Sequence, residues 1–193
     1  MEFNTAKKFG LGGAVLMILF WPVGILLLLK FLSYLAQVYG ERRIFNYMLY
    51  WLALTVLLPL LLLFLAFILS VQMPDVSVPL SALLFFLAFF VLPVFGCFLF
   101  YKSMSLLASK SNINHFKISG LLILIGAVFI GAALMVSVLV GVVFGEAAFE
   151  KAAFILSFVG PVGGVMVIAS FIVLAIAFYK LKPPVTLPTS VQT

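Results

Sequence analysis

Carboxylates, cysteine and catalytic motifs are what this sequence has least of. Its single cysteine, Cys97, lies in the apolar run Val94 to Tyr101. One thiol closes no intramolecular disulfide and gives no metal-ligand spacing, so redox and zinc chemistry lose their usual basis. Asp and Glu total five, and none falls mid-way along an apolar run, where proton-coupled carriers keep a carboxylate on the pathway. The sequence contains no HExxH, CxxC, Walker or GxSxG pattern. These absences predict a chain with no catalytic residue, no cofactor, no metal centre and no enzyme activity.

What the chain does have is apolar mass. Hydrophobic residues make up 66% and charged residues 8%, against roughly half and a quarter in soluble domains. So little polar surface cannot coat a body containing 22 Phe. A water-soluble fold is excluded, and an integral membrane protein is expected. The formal net charge is +6, but the basic residues sit in short clusters beside apolar segments. Anionic lipid headgroups, rather than nucleic acid, are their expected partners. Lys7 and Lys8 precede an apolar stretch without a following small-residue cleavage site, so the first segment is expected to stay as an anchor.

A helical span needs about 20 apolar residues to cross about 30 Å of hydrocarbon. Stretches of that size run from Gly10 to about Lys30, Ile44 to about Val71, Val78 to Tyr101, Ile118 to about Gly145, and Ala152 to Tyr179. Runs such as LLPLLLLFLAFIL lack the alternation of a membrane barrel. The expected fold is all-α, a polytopic helical membrane bundle of about five transmembrane segments. Residues 1–180 form its single domain, and 181–193 a flexible, proline-containing cytoplasmic tail. Pro22, Pro59, Pro93 and Pro161 each remove a hydrogen bond from a predicted helix, and bending is expected there.

Orientation follows from the connections. GERR, with Arg42 and Arg43, then Lys102, Lys110 and Lys117, and finally Lys180 and Lys182 belong on the cytoplasmic side. Gln72 to Pro79 and Gly145 to Lys151 belong outside, so the protein is expected in the cell membrane, multi-pass, with a cytoplasmic C-terminus. The first segment has two readings. As a full span it puts the N-terminus outside; as a re-entrant hairpin broken at FWPVG (Phe20 to Gly24) it keeps both ends with the cytoplasmic lysines. FWPVG and VGPVGG (Val159 to Gly164) share Pro-Val-Gly, a faint internal echo of the kind transporter repeats show.

Two stretches carry more than composition. LKFLSYLAQVYGERRIFNYML (Leu29 to Leu49) has Lys and Ser, then Gly, then Ile-Phe-Asn. YKSMSLLASKSNINHFKISGLLILIGAVF (Tyr101 to Phe129) has Tyr-Lys-Ser-x-Ser, Leu-Ala-x-Lys, Phe and Gly-Leu-Leu. In these features the chain resembles the archaeal membrane family catalogued as domain of unknown function 996. The resemblance implies a polytopic membrane protein and supplies no site residue.

Lys30 is the one ionisable residue well inside a long apolar run. It reads either as an intramembrane charge or as a side chain snorkelling to the boundary. Beyond it, Phe31, Tyr34, Leu35 and Val38 share a helical face, while Ser33 and Gln37 turn another way. His115 stands alone in a predicted turn and makes no metal site. Helix packing is expected at Gly126, Gly131, Gly141 and Gly145, and at Gly160 and Gly164, where small residues let backbones approach. The pairing of Gly141 and Gly145 with Gly160 and Gly164 is the contact expected between the last two helices. The function expected is that of a structural or accessory subunit, its partners the bilayer and other membrane proteins or a second copy. The alternative is a small transporter or channel with Lys30, Asn46, Thr55, Ser119, Ser137 and Ser170 along its pathway.

Overall fold

The computed structural model describes residues 2–72, 84, 86–144 and 146–183, with backbone alone at 70, 72, 137–139, 141–144 and 146–156. The expectations for the side of Gly141, for Gly145, for the connection at 73–79 and for the tail beyond Pro183 lie outside the described residues. Among those residues every regular element is helical. In chain order they are α1 (Phe3–Leu19), α2 (Trp21–Val38), α3 (Arg42–Leu52), a π-helical turn (Ala53–Leu57) and α4 (Leu58–Gln72). A second π-helical turn (Leu87–Val91) then leads into α5 (Leu92–Ser111), followed by α6 (Asn114–Phe144) and α7 (Glu146–Lys180). Five helical stretches are long and apolar enough to cross a membrane: Trp21–Val38, Arg42–Leu69, Leu87–Ser111, Asn114–Val136 and Ser157–Lys180. The chain is a multi-pass helical membrane protein.

The first apolar segment is not one continuous span from Gly10 to Lys30. Phe20 leaves helical geometry, with φ −147° and ψ 78°. Its N–H closes α1 on the Leu16 carbonyl at 2.7 Å, and its carbonyl accepts the Gly24 N–H at 3.1 Å to open α2. Pro22 suits this position, because in the first turn of a helix its missing N–H costs no hydrogen bond. The two helices then fold back on each other, with glycine at each close approach. A Cβ on Gly24 would stand 2.8 Å from the Leu16 carbonyl carbon, one on Gly13 3.0 Å from the Leu28 nitrogen, and one on Gly10 would overlap the Phe31 ring. Each step of three or four residues back along α1 is matched by the same step forward along α2. That is the register of an antiparallel hairpin, the second of the two readings of this segment.

The prolines are handled in three ways. Pro59 and Pro93 each follow a π-helical turn by two residues. A proline ring clashes with the carbonyl four residues earlier, here Thr55 and Phe89, and both carbonyls lie inside the widened turns. Extra room in the turn relieves the clash while the helix continues. Pro161 sits inside α7, which runs on through it. Pro22 therefore begins a helix and Pro161 interrupts none, so their shared Pro-Val-Gly marks no repeated structure.

The chain divides into two compact units. The first comprises Met1–Leu49, Leu99–Ile123 and Met166–Thr193, the second Tyr50–Phe98 and Leu124–Val165. In the first unit Phe31, Phe116 and Phe178 are fully buried. Phe178 meets Phe31 edge-on with ring centroids 4.9 Å apart and Phe116 at 5.3 Å. Leu28, Leu32, Leu35, Ile44, Met104 and Leu107 complete this core. Every Lys and Arg of the chain except Lys151 belongs to this unit.

In the second unit, α4 packs against the second π-helical turn, and neighbouring helices meet on glycine. A Cβ on Gly96 would lie 2.7 Å from the Thr55 methyl, one on Gly131 2.7 Å from the Phe90 ring, and one on Gly163 2.8 Å from the Gly126 carbonyl oxygen. Both π-helical turns thus dock on a glycine. The last of these contacts corrects an expectation. A Cβ at Gly160 or Gly164 meets nothing within 4 Å among the described residues, because one residue along a helix turns the side chain by about 100°. Contact with α6 falls on Gly163.

Candidate functional site

Between α2 and α3 the chain turns through a glycine that needs left-handed geometry. Gly40 has φ +64°, where an L side chain would be strained. Its N–H donates to the Gln37 carbonyl at 3.2 Å and the Glu41 N–H to the Ala36 carbonyl at 2.9 Å. This paired closure satisfies the last carbonyls of α2 and reverses the chain. The reversal lays the polar side of the last α2 turns against the first turn of α3. Ser33, Ala36, Gln37, Gly40, Arg42, Phe45 and Asn46 line the resulting open cleft, of about 470 Å³. Each polar pair, Ser33 with Gln37 and Arg42 with Asn46, has helical i, i+4 spacing and so occupies one face.

The charges around this cleft do not cancel. Arg43 grips Glu41 through two hydrogen bonds, Nε to Oε1 at 2.7 Å and Nη2 to Oε2 at 3.1 Å. That bond holds the Glu41 carboxyl below the ordinary carboxylate range, and the charges of Arg43 and of Lys110, from the end of α5, add to the effect. Beside it, burial pushes the Tyr39 phenol above its ordinary value. Arg42 has no carboxylate partner among the described residues. It is also the first residue of α3, where the helix dipole disfavours a cation.

The other residues marked by the sequence fall in several places. Lys30 is exposed, its ammonium 4.8 Å from the centre of the Phe9 ring. Lys7 reaches across to donate to the Leu181 carbonyl at 2.9 Å. His115 is not isolated: it opens α6, and the Lys180 ammonium donates to its Nε2 at 3.1 Å. Lys102, Lys110, Lys117 and Lys182 are exposed. Cys97 is buried. Among the described residues no three His, Cys, Asp or Glu come together.

The described hydroxyls weighed as pathway groups are taken up within the helices or between them. Thr55 Oγ1 donates to the Trp51 carbonyl at 2.7 Å. Ser170 Oγ donates to the Ser119 carbonyl at 2.9 Å, and the two buried hydroxyls stand 3.2 Å apart. Ser103, a hydroxyl outside that set, ties α5 to α3 by donating to the Ile44 carbonyl at 2.7 Å. Asn46 lies in the cleft, and the Ser137 side chain lies outside the described residues.

No curated protein and no solved structure matches the chain. A family model does match, over residues 20–145. That stretch starts at the hairpin break, takes in the cleft and the polar turn between α5 and α6, and covers more than half of the sequence. The chain belongs to the family described as protein of unknown function (DUF996).

Proposed function

We propose that this chain is a non-catalytic membrane protein that packs against other membrane proteins, and that the Arg42–Leu69 helix is the face it offers them. The burial of its spans carries this reading. Only 6% of the apolar window in Arg42–Leu69 is buried within the chain, against 28% to 50% for the other candidate spans. Leu57, Leu60, Leu61, Phe64 and Phe67 stand outward along it. Helix association in lipid depends on packing and on hydrogen bonds, and a helix this little used by its own chain is free to pack elsewhere. The hydroxyls of Thr55 and Ser170, turned to backbone carbonyls, and that of Ser119, paired with Ser170, favour packing over a polar pathway.

The orientation belongs to the same proposal. The basic unit is cytoplasmic, so the C-terminus is cytoplasmic, and the α1–α2 hairpin dips into the bilayer from that side. Phe31 meets Phe178, two residues before Lys180, and so marks the basic boundary. From there to Trp21 the helix rises about 15 Å, half of a hydrocarbon core of about 30 Å. The tip residues Leu19, Phe20 and Trp21 are exposed and apolar, as suits lipid. The N-terminus then lies on the cytoplasmic side with Lys7 and Lys8.

A second reading, a small transporter or channel, draws on the two π-helical turns. Such turns are frequent at functional sites, and here both precede a proline and dock on a glycine. Mild extraction separates the two classes. The first predicts that the protein leaves the native membrane bound to partner subunits, lost when Leu61 and Phe64 are changed to Ser. A monodisperse, partner-free particle that conducts solute in proteoliposomes contradicts it.

A further inference from the structure

From the cleft between α2 and α3 we infer that this protein binds the phosphate group of an anionic ligand, with Arg42 as its principal contact. The lining side chains that carry hydrogens to donate are Ser33, Gln37, Arg42 and Asn46, and no carboxylate lines the cleft. Guanidinium offers a planar fork to two phosphate oxygens. Two amides and a hydroxyl converging beside it match a tetrahedral anion with several acceptor oxygens better than a planar carboxylate.

Two independent features make the cleft short of negative charge. Arg42 and Arg43 both stand at the positive end of the α3 dipole, where cations are disfavoured, and α3 has no acidic residue in its first turn. The nearby carboxylate, Glu41, is taken up by Arg43 and further held by the charge of Lys110. An anion in the cleft would sit at the positive end of α3, beside a guanidinium that has no carboxylate partner among the described residues.

Size and depth narrow the class. About 470 Å³ falls within the range of small-molecule sites and exceeds what bare phosphate fills. Arg42 is the first residue of the Arg42–Leu69 candidate span, which places it where the hydrocarbon ends and headgroups begin. Phe45 and Ala36 line the same cleft and offer apolar contact to a glycerol or acyl stem. A phospholipid headgroup and a free phosphate compound share this chemistry, and the experiment separates them.

The full-length protein is delipidated in detergent and given phosphatidylglycerol or phosphatidylcholine of the same chains, and bound lipid is read by native mass spectrometry. Phosphatidylglycerol is expected to be retained over phosphatidylcholine. Arg42→Gln is expected to lower that retention roughly tenfold, the value of one lost charged contact. Gln37→Leu and Asn46→Leu lower it too. Lys182→Gln removes an equal charge from an exposed position outside the cleft and lowers retention far less than Arg42→Gln. Inorganic phosphate is then added as competitor: displacement assigns the site to phosphate compounds in general, and resistance assigns it to the lipid. Equal retention of the two lipids, or equal losses in Arg42→Gln and Lys182→Gln, overturns the proposal. All of the substituted positions are exposed, and a monodisperse elution profile shows that each variant folds.

Discussion

Phe31 of α2 and Phe178 of α7 meet edge to face, centroids 4.9 Å apart and planes at 82°, so a helix near the start of the chain shares a core with the helix that ends it. Truncating a buried Phe costs about 3–5 kcal/mol in soluble cores. Lipid is itself apolar, so here the cavity and lost contacts dominate. Phe178→Ala should therefore lower the thermal midpoint in detergent and expose the hairpin to limited proteolysis. Phe64→Ala, at a residue 63% exposed, should change neither.

The GPVGG run gives a position-by-position test. Gly163→Leu drives a side chain into the Gly126 carbonyl and the Ile130 backbone and should destabilise by about 1–3 kcal/mol through overpacking. Gly160→Leu and Gly164→Leu enter open space and should be neutral. Thermal unfolding of the three purified variants checks this, and equal losses at all three would place the contact elsewhere.

Ser119 and Ser170 form a buried pair, and hydrogen bonds between membrane helices average about 0.6 kcal/mol, with a maximum near 1.7. Ser170→Ala removes the donor to the Ser119 carbonyl as well as the hydroxyl contact, so it should cost more than Ser119→Ala. A double-mutant cycle on unfolding should show coupling of that size. Additivity of the two would mean that the hydroxyls do not interact.

Glu41 should titrate abnormally low. Its folded pKa is depressed mainly by the Arg43 hydrogen bond, so the pair's stabilisation is present above the ordinary carboxylate pKa and disappears as pH falls through the depressed one. A carboxyl carbon chemical-shift titration should place the midpoint below that of a peptide Glu. Arg43→Gln should bring it back up. An ordinary midpoint in the unsubstituted protein would show that the pair does not persist in solution.

Much of the fold was legible because hydropathy is read along the chain. Apolar runs, basic connections and the FWPVG break all lie in sequence order. Which way the break resolved was not legible: a full span and a folded hairpin have the same composition, and Gly10, Gly13 and Gly24 show their purpose only with Phe31, Leu28 and Met17 opposite them. Gly163 was missed for Gly160 and Gly164 because a small-residue spacing fixes separation along a helix but not which side faces a neighbour. Ser119 and Ser170 were visible singly, yet their pairing is a fact of packing across 51 positions. The cleft left a fainter signal, two polar i, i+4 pairs on either side of Gly40. Reading Ser33 and Gln37 as turned away from the apolar face was half of it; the reversal at Gly40 supplied the rest.

In the proposed orientation the basic unit, with both ends of the α1–α2 hairpin, faces the cytoplasm while the hairpin tip stays within the bilayer. Single cysteines at Thr5, Phe20, Ser77 and Ser111, in a chain with Cys97 replaced by Ser, test it with a membrane-impermeant thiol reagent on intact cells and on inverted vesicles. Ser77 is expected to label only from outside, Thr5 and Ser111 only from the cytoplasmic face, and Phe20 from neither. Labelling of Thr5 from outside, or of Phe20 from outside, would contradict this orientation.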